Sequence, residues 1–259
     1  MTPKSNVVVF DLDDTLYKEV DYLKSAYTEI AKCVEADDAS DIIVEKMLTW
    51  WKNGENVFQR LIETYQLDMT VDDLLTKYRT HIPKISLDEE TKEVLQRMKD
   101  TAVLGIITDG RSNTQHNKIA ALGLDGFMYE EDILVSGDRE KDHEFHELHE
   151  ERWEKPSELP FKYFMDRYSA NHSANRSVNR KPYTVRSANG RLLPTGRKNY
   201  YYVGDNTSKD FVAPNRLGWT TICLLDDGRN IHKQDYSLPQ DMLPQHKISK
   251  IRDIENIII

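Results

Sequence analysis

An uninterrupted apolar run, Val7-Val8-Val9-Phe10, leads directly into Asp11, with Asp13 and Asp14 close behind. β-Branched residues in a block, without polar alternation, read as a strand covered on both faces, the pattern of a parallel sheet flanked by helices. Carboxylates crowded at the end of such a strand repel one another and are costly to bury unpaired. A divalent cation is the simplest partner that neutralises them. The stretch therefore points to a layered α/β chain with a candidate metal-dependent site where its first strand ends.

Similar runs recur at 102–108 (AVLGIIT), 132–136 (DILVS), 200–204 (YYYVG) and 219–225 (WTTICLL). Helical patterns separate them, so the expected fold class is α/β, a doubly wound, Rossmann-like parallel sheet. From about 18 to 100 there is no strand signal. Val20, Leu23, Tyr27, Ile30 and Val34 fall at helical spacing, as do Val57, Phe58, Leu61, Ile62 and Tyr65, then Val71, Leu74, Leu75 and Tyr78. Ser86 and Glu89 have capping-box spacing ahead of Val94, Leu95 and Met98. The spacing predicts an all-helical insertion of roughly four helices, the last of which, 88–100, already belongs to the core. The expected organisation is an α/β core of 1–17 and 88–259 with a helical unit inserted at 18–87.

Two segments exceed ordinary connections of about 4–6 residues. The first, 138–153, is acidic and carries His143, His146 and His149. Histidines three apart drift around a helix and no cysteine is near, so a solvated loop at the active-site side outweighs a metal site. The second, 169–199, has seven Lys or Arg, no acid, and a degenerate repeat, SANH-SANR-SVNR. It follows a helix expected over about 156–168 and so should emerge at the opposite edge of the sheet, as a spacer or a contact for an acidic partner or nucleic acid.

A net charge of −9 argues against wholesale nucleic-acid binding. No apolar run approaches the roughly 18 residues that a membrane span needs, and the run at Val7 stops too soon for a signal peptide. Cys33 and Cys223 lie far apart and read as reduced core residues, in keeping with a cytoplasmic protein.

In a doubly wound sheet ligands gather at the carboxyl ends of strands. Here those ends carry Asp11 and Asp13, Thr108 and Asp109, Ser136, and Asp205, with Lys155 opening the helix after the third strand and Asp210 following the fourth. Carboxylates at Asp11 and Asp205 suit a hard cation such as Mg²⁺, which prefers to bridge to phosphate. A lysine and a hydroxyl can hold phosphate oxygens. One carboxylate can attack phosphorus while a second handles protons.

Asp11-Leu12-Asp13-Asp14-Thr15, the strand ending in Thr108, the pair Lys155-Pro156 and the run GDNTSKD from Gly204 to Asp210 occur in that order. Together they resemble the four motifs of the haloacid dehalogenase-like (HAD) hydrolases, and the helical insertion resembles the cap of the first subfamily. The resemblance implies Asp11 as nucleophile and Asp13 as general acid and base. It implies Mg²⁺ on the Asp11 carboxylate, the Asp13 main-chain carbonyl and Asp205, with Asp210 supporting the metal site from behind. Thr108 and the amides near Asp109 and Gly110 would bind the phosphoryl group, and Lys155 would balance charge. An acid at Asp13 favours phosphate over halide chemistry. The implied activity is hydrolysis of a small phosphorylated metabolite, a sugar phosphate or a nucleoside monophosphate. The alternatives are a phosphomutase using the same aspartates and a non-catalytic HAD-like binding module. Tyr17, Lys18 and Tyr22 near the expected hinge, and Trp50, Trp51 and Lys52 in the helical unit, are candidates for substrate contact, with core packing the plainer reading for the aromatics.

Overall fold

The computed structural model describes residues 5–34, 36, 38–138, 152–169 and 198–258. Its strands are β1 (Asn6–Phe10), β2 (Ala102–Thr108), β3 (Ile133–Val135), β4 (Asn199–Gly204), β5 (Thr220–Leu224) and β6 (His246–Ile248). They form one sheet in the order β3-β2-β1-β4-β5-β6, parallel throughout. β1 lies inside it, with Phe10 opposite Ile106 on one side and Val203 on the other. Val8 and Phe10 join the apolar cluster on one face, and Val7 and Val9 join the cluster on the other. Both faces being buried is the reason the run is apolar at every position.

Helices α5 (Glu89–Thr101) and α6 (Ser112–Leu122) cover the first face through Val94, Leu95, Met98, Ile119 and Leu122. Helices α7 (Leu159–Tyr168) and the short α8 (Val212–Arg216) cover the second through Phe161, Phe164, Tyr168 and Ala213. From β1 the chain goes on to β2 and β3 on one side and later returns to build β4, β5 and β6 on the other. The topological switch point therefore lies at the carboxyl ends of β1 and β4, where open α/β sheets bind ligands.

Between β1 and α5 run α1 (Glu19–Ala31), α2 (Ser40–Lys52), α3 (Val57–Tyr65) and α4 (Val71–Thr80). They share a separate apolar cluster built on Leu23, Tyr27, Met47, Phe58, Leu61 and Leu74. Tyr78 packs against both this cluster and the first sheet face, its ring edge-on to Tyr22 at 5.4 Å.

Several sequence expectations change in detail. Strand β6 carries no apolar run, because it is a three-residue edge strand whose His246 and Lys247 are exposed. Asp132 sits in a 3₁₀ turn ahead of β3, where its buried carboxylate accepts from Arg167 and Tyr168. The cap of α5 is Asp88, whose carboxylate accepts from the Thr91 N–H at 2.6 Å, so Ser86 and Glu89 form no capping box. A capping box does occur at Thr70 and Asp73. Cys33 lies past the end of α1 and is exposed, whereas Cys223 is buried in β5. Residues 139–151 and 170–197 lie outside the described residues, and with them His143, His146, His149 and the SANH repeat. No described helix is long and apolar enough to cross a membrane.

Candidate active site

The ladder between β1 and β4 extends one residue past the strand, with the Asp11 N–H donating to the Val203 carbonyl at 2.8 Å. This holds Asp11 at the switch point, where it is 6% exposed. Lys155, from the turn ahead of α7, brings its Nζ 2.5 Å from Asp11 Oδ1, 2.8 Å from Asp210 Oδ1 and 2.9 Å from the Tyr202 hydroxyl. Burial pushes the Asp11 carboxyl up to about 7 even though the Lys155 ammonium pulls it down. Burial opposes the charge on Lys155, but Asp11 and Asp210 outweigh it and hold the amine protonated well above its ordinary range.

Asp205 follows β4 and, among the described residues, forms no direct ion pair. Its Oδ2 accepts from Asn230 Nδ2 at 2.9 Å. Burial, together with the like charges of Asp11 and Asp210, pushes its carboxyl up to about 9. Oxygens of Asp11, Asp205 and Asp210 all lie within 4.8 Å of one another. Asp210 uses its Oδ2 to accept from the N–H groups of Asp205 at 3.1 Å and Asn206 at 2.8 Å, so it braces the loop that carries Asp205. A Cβ on Gly204 would come within 2.5 Å of that oxygen, which is why the strand ends in glycine. Three buried carboxyl groups beside one buried ammonium make an oxygen-lined site that is net negative once they ionise, and a hard divalent cation fits it by favouring that ionised form.

Asp13 is only two residues on but has different neighbours. Its carboxylate accepts from Tyr17 Oη at 2.5 Å, Lys118 Nζ at 2.7 Å and Gln115 Nε2 at 2.9 Å. Burial acts upward, yet the Lys118 ammonium and these three hydrogen bonds hold Asp13 below the usual carboxylate range. Lys118 is itself buried on α6, 3.7 Å from Glu19 and 4.5 Å above the centre of the Tyr22 ring. Asp14 adopts left-handed backbone with φ 59°, and its carboxylate accepts from the N–H groups of Glu19 at 2.9 Å and Ile231 at 2.7 Å. That turn swings the chain out of the sheet and into α1.

Across the site, Thr108 is 1% exposed and its Oγ1 accepts from Gln115 Nε2 at 2.6 Å. The Gly110 N–H donates to Ser136 Oγ at 3.1 Å, so this amide is already engaged inside the protein. The Asp109 carboxylate accepts from the Lys155 N–H at 3.1 Å and Lys209 Nζ at 3.0 Å, which ties together the segments after β2, before α7 and after β4.

The structure thus gathers Asp11, Asp13, Thr108, Asp109, Gly110, Lys155, Asp205 and Asp210 at one end of the sheet. Gln115, Lys118, Lys209 and Asn230 escape the sequence reading. The one sequence signal for the first two is their spacing of three on α6, which shows a shared face but not what it meets. Trp50 and Trp51 belong to the helical cluster, Trp50 under the Arg60 guanidinium at 5.6 Å, and Lys52 is exposed at the end of α2.

Residues 8–190 match the family described as haloacid dehalogenase-like hydrolase. A glyceraldehyde 3-phosphate phosphatase from Methanocaldococcus jannaschii is 24% identical over 141 residues, which are 50% of this chain and 61% of the archaeal protein. The chain therefore spans only 61% of the length of that relative. The HAD-hydrolase YfnB from Bacillus subtilis, solved bound to magnesium, superposes with TM-score 0.60 at 16% identity over 98% of this chain and 99% of its own. A subfamily IA HAD-superfamily hydrolase from Geobacter sulfurreducens gives TM-score 0.56 at 13% identity over 99% of this chain and 98% of its own. At such identities the structures testify to the fold. By its family match, its sheet topology and the order of its strand-end residues, this chain belongs to the haloacid dehalogenase-like hydrolases.

Proposed function

We propose that this chain is a divalent-cation-dependent phosphatase that hydrolyses a small phosphate monoester through an aspartyl-phosphate on Asp11. The observation that carries the reading is the contrast between two carboxylates two residues apart. Asp11 is buried against Lys155, and Asp13 is held by Lys118, Tyr17 and Gln115. Neighbouring carboxylates in unlike environments can divide the work of nucleophile and proton carrier.

Mg²⁺ would be held by the Asp11 carboxylate, the Asp13 main-chain carbonyl and Asp205, with Asp210 keeping the Asp205 loop in place. When bound, it would offset the carboxylates and admit a phosphate dianion to an acidic site. Asp11 Oδ attacks phosphorus, the ester P–O bond breaks, and the leaving oxygen takes a proton from Asp13. A water oxygen then attacks the acyl phosphate while Asp13 takes the water proton. The bond to Asp11 breaks and inorganic phosphate leaves. The pairing with Lys118 favours ionised Asp13, the form needed for the second step, and the arriving phosphate dianion favours the protonated form needed for the first. Thr108 and Lys155 would hold phosphoryl oxygens, joined by a main-chain amide near Asp109, while the Gly110 N–H stays with Ser136 Oγ.

Helices α1–α4, within 18–87, would form the cap that closes over the substrate and excludes water. The archaeal relative's name favours a sugar phosphate as the substrate class. The test is release of inorganic phosphate from a panel of sugar phosphates and nucleoside monophosphates, with Mg²⁺ or EDTA. We expect metal-dependent turnover that falls by about 10⁴-fold or more in Asp11→Asn. Turnover that survives this substitution would remove Asp11 as nucleophile, and a transferred rather than released phosphate would identify a mutase.

A further inference from the structure

The segment between β5 and β6 was silent in the sequence, yet it touches the active site and the helical unit together. Asp226 Oδ1 accepts from the N–H groups of Gly228 at 2.7 Å and Asn230 at 3.0 Å, which curls the loop back toward the sheet. At one end of this strap, Asn230 Nδ2 donates to Asp205 Oδ2 at 2.9 Å, and Gln234 Nε2 donates to the Asp205 carbonyl at 2.9 Å. The Asp235 N–H donates to Thr207 Oγ1 at 2.9 Å. Asp205 is therefore gripped by both its side chain and its main chain.

At the other end, Lys18 Nζ donates to Asn230 Oδ1 at 2.6 Å and pairs with Asp227 at 3.2 Å. Lys18 immediately precedes α1. The Ile231 N–H donates to Asp14, and the Ile231 side chain packs against the helical cluster. The strap thus spans from the loop that carries Asp205 to the hinge at the start of the helical unit.

The chemistry of an amide makes this more than a bridge. A lysine ammonium has only donors, so the oxygen of the Asn230 amide must face Lys18. The NH₂ end then faces Asp205, where it fixes the carboxylate through Oδ2 and leaves Oδ1 available to a cation. Partners of this kind orient metal-binding carboxylates and tune their affinity. We propose that Asn230 is a positioning residue for the divalent cation, and that the chain Lys18–Asn230–Asp205 makes cation affinity depend on the hinge of the helical unit. This rests on the metal site proposed above.

The test is calorimetric titration of MgCl₂ into the EDTA-stripped, dialysed full-length protein, compared among wild type, Asn230→Ala, Lys18→Met and the double variant. Circular dichroism checks the fold. Asn230→Ala should weaken Mg²⁺ binding by about 10–100-fold. Lys18→Met should weaken it several-fold, and the double variant should match Asn230→Ala, because both substitutions cut one chain of contacts. Asn230→Ala within twofold of wild type overturns the positioning role, and additive losses overturn the relay. Should Asn230→Ala fail to fold, Lys18→Met alone decides, since unchanged affinity there removes the hinge coupling. Wild type that takes up no Mg²⁺ at millimolar concentration would strike down the metal site itself, and this inference with it.

Discussion

At the strand ends Lys155 is wholly buried between Asp11 and Asp210. In the helical unit, ion pairs such as Lys46–Asp38 and Arg60–Glu55 keep both partners partly in solvent. The interior of that unit is instead aromatic and aliphatic, with Tyr27, Phe58 and Tyr78 rings packed 6.0 to 6.4 Å apart, centre to centre. Burying charge is costly and repaid only by close, well-directed partners. The molecule accepts that cost at the strand ends, where the candidate site holds fixed, desolvated groups, and avoids it where helices need only to pack. The two regions should therefore fail in different ways.

The largest contrast is in stability. Lys155→Met should destabilise the protein by about 3–5 kcal/mol at neutral pH, because it leaves Asp11 and Asp210 buried and unpaired. Its cost should shrink as pH falls below about 7 and the Asp11 carboxylate takes up its proton. Leu61→Ala in the helical cluster should cost about 2–5 kcal/mol with no such dependence. Urea denaturation of both variants at pH 5 and pH 8 checks this, and equal costs for Lys155→Met at the two pH values would break the comparison.

A smaller effect concerns the metal-free site in the unsubstituted protein. Asp11 and Asp205 are pushed up to about 7 and about 9, largely by burial, against about 3.9 for an aspartate in an unfolded chain. The folded state thus binds these protons more tightly than the unfolded state. That contribution to stability is complete below about pH 3.9 and is lost as pH rises through 7 to 9. Protein held in EDTA should lose stability across this window, and the gain in Tm from Mg²⁺ should widen over it. A metal-induced shift that is constant from pH 6 to pH 9 would count against linkage at these carboxylates. The smallest effect belongs to the rim of the helical unit, where Lys46→Ala should leave Tm unresolved from wild type, because an exposed pair gains little.

The sequence carries the site unevenly. Asp11, Asp13, Thr108, Asp205 and Asp210 follow strand ends and are legible because a buried strand must be apolar up to the point where it meets solvent or ligand. Lys155 is legible only through its motif, since 139–151 intervene between it and β3. Gln115, Lys118 and Asn230 are not legible, because their meaning comes from Asp13 and Asp205, more than 20 residues away in the chain. Strand β6 is hidden for a related reason, being so short and exposed that its pairing to β5 leaves little apolar pattern.

By itself, then, the chain's sequence determined its layered α/β class, the inserted helices and the carboxylates at the strand ends. These rest on local periodicity and on the rule that apolar residues are buried on both faces of a parallel strand. Only the tertiary structure decided which charge meets which: Lys155 on Asp11 and Asp210, Lys118 on Asp13, and an amide in place of a cation on Asp205. The interaction between charges depends on distance and burial, and residues remote in sequence acquire both only once the chain has folded.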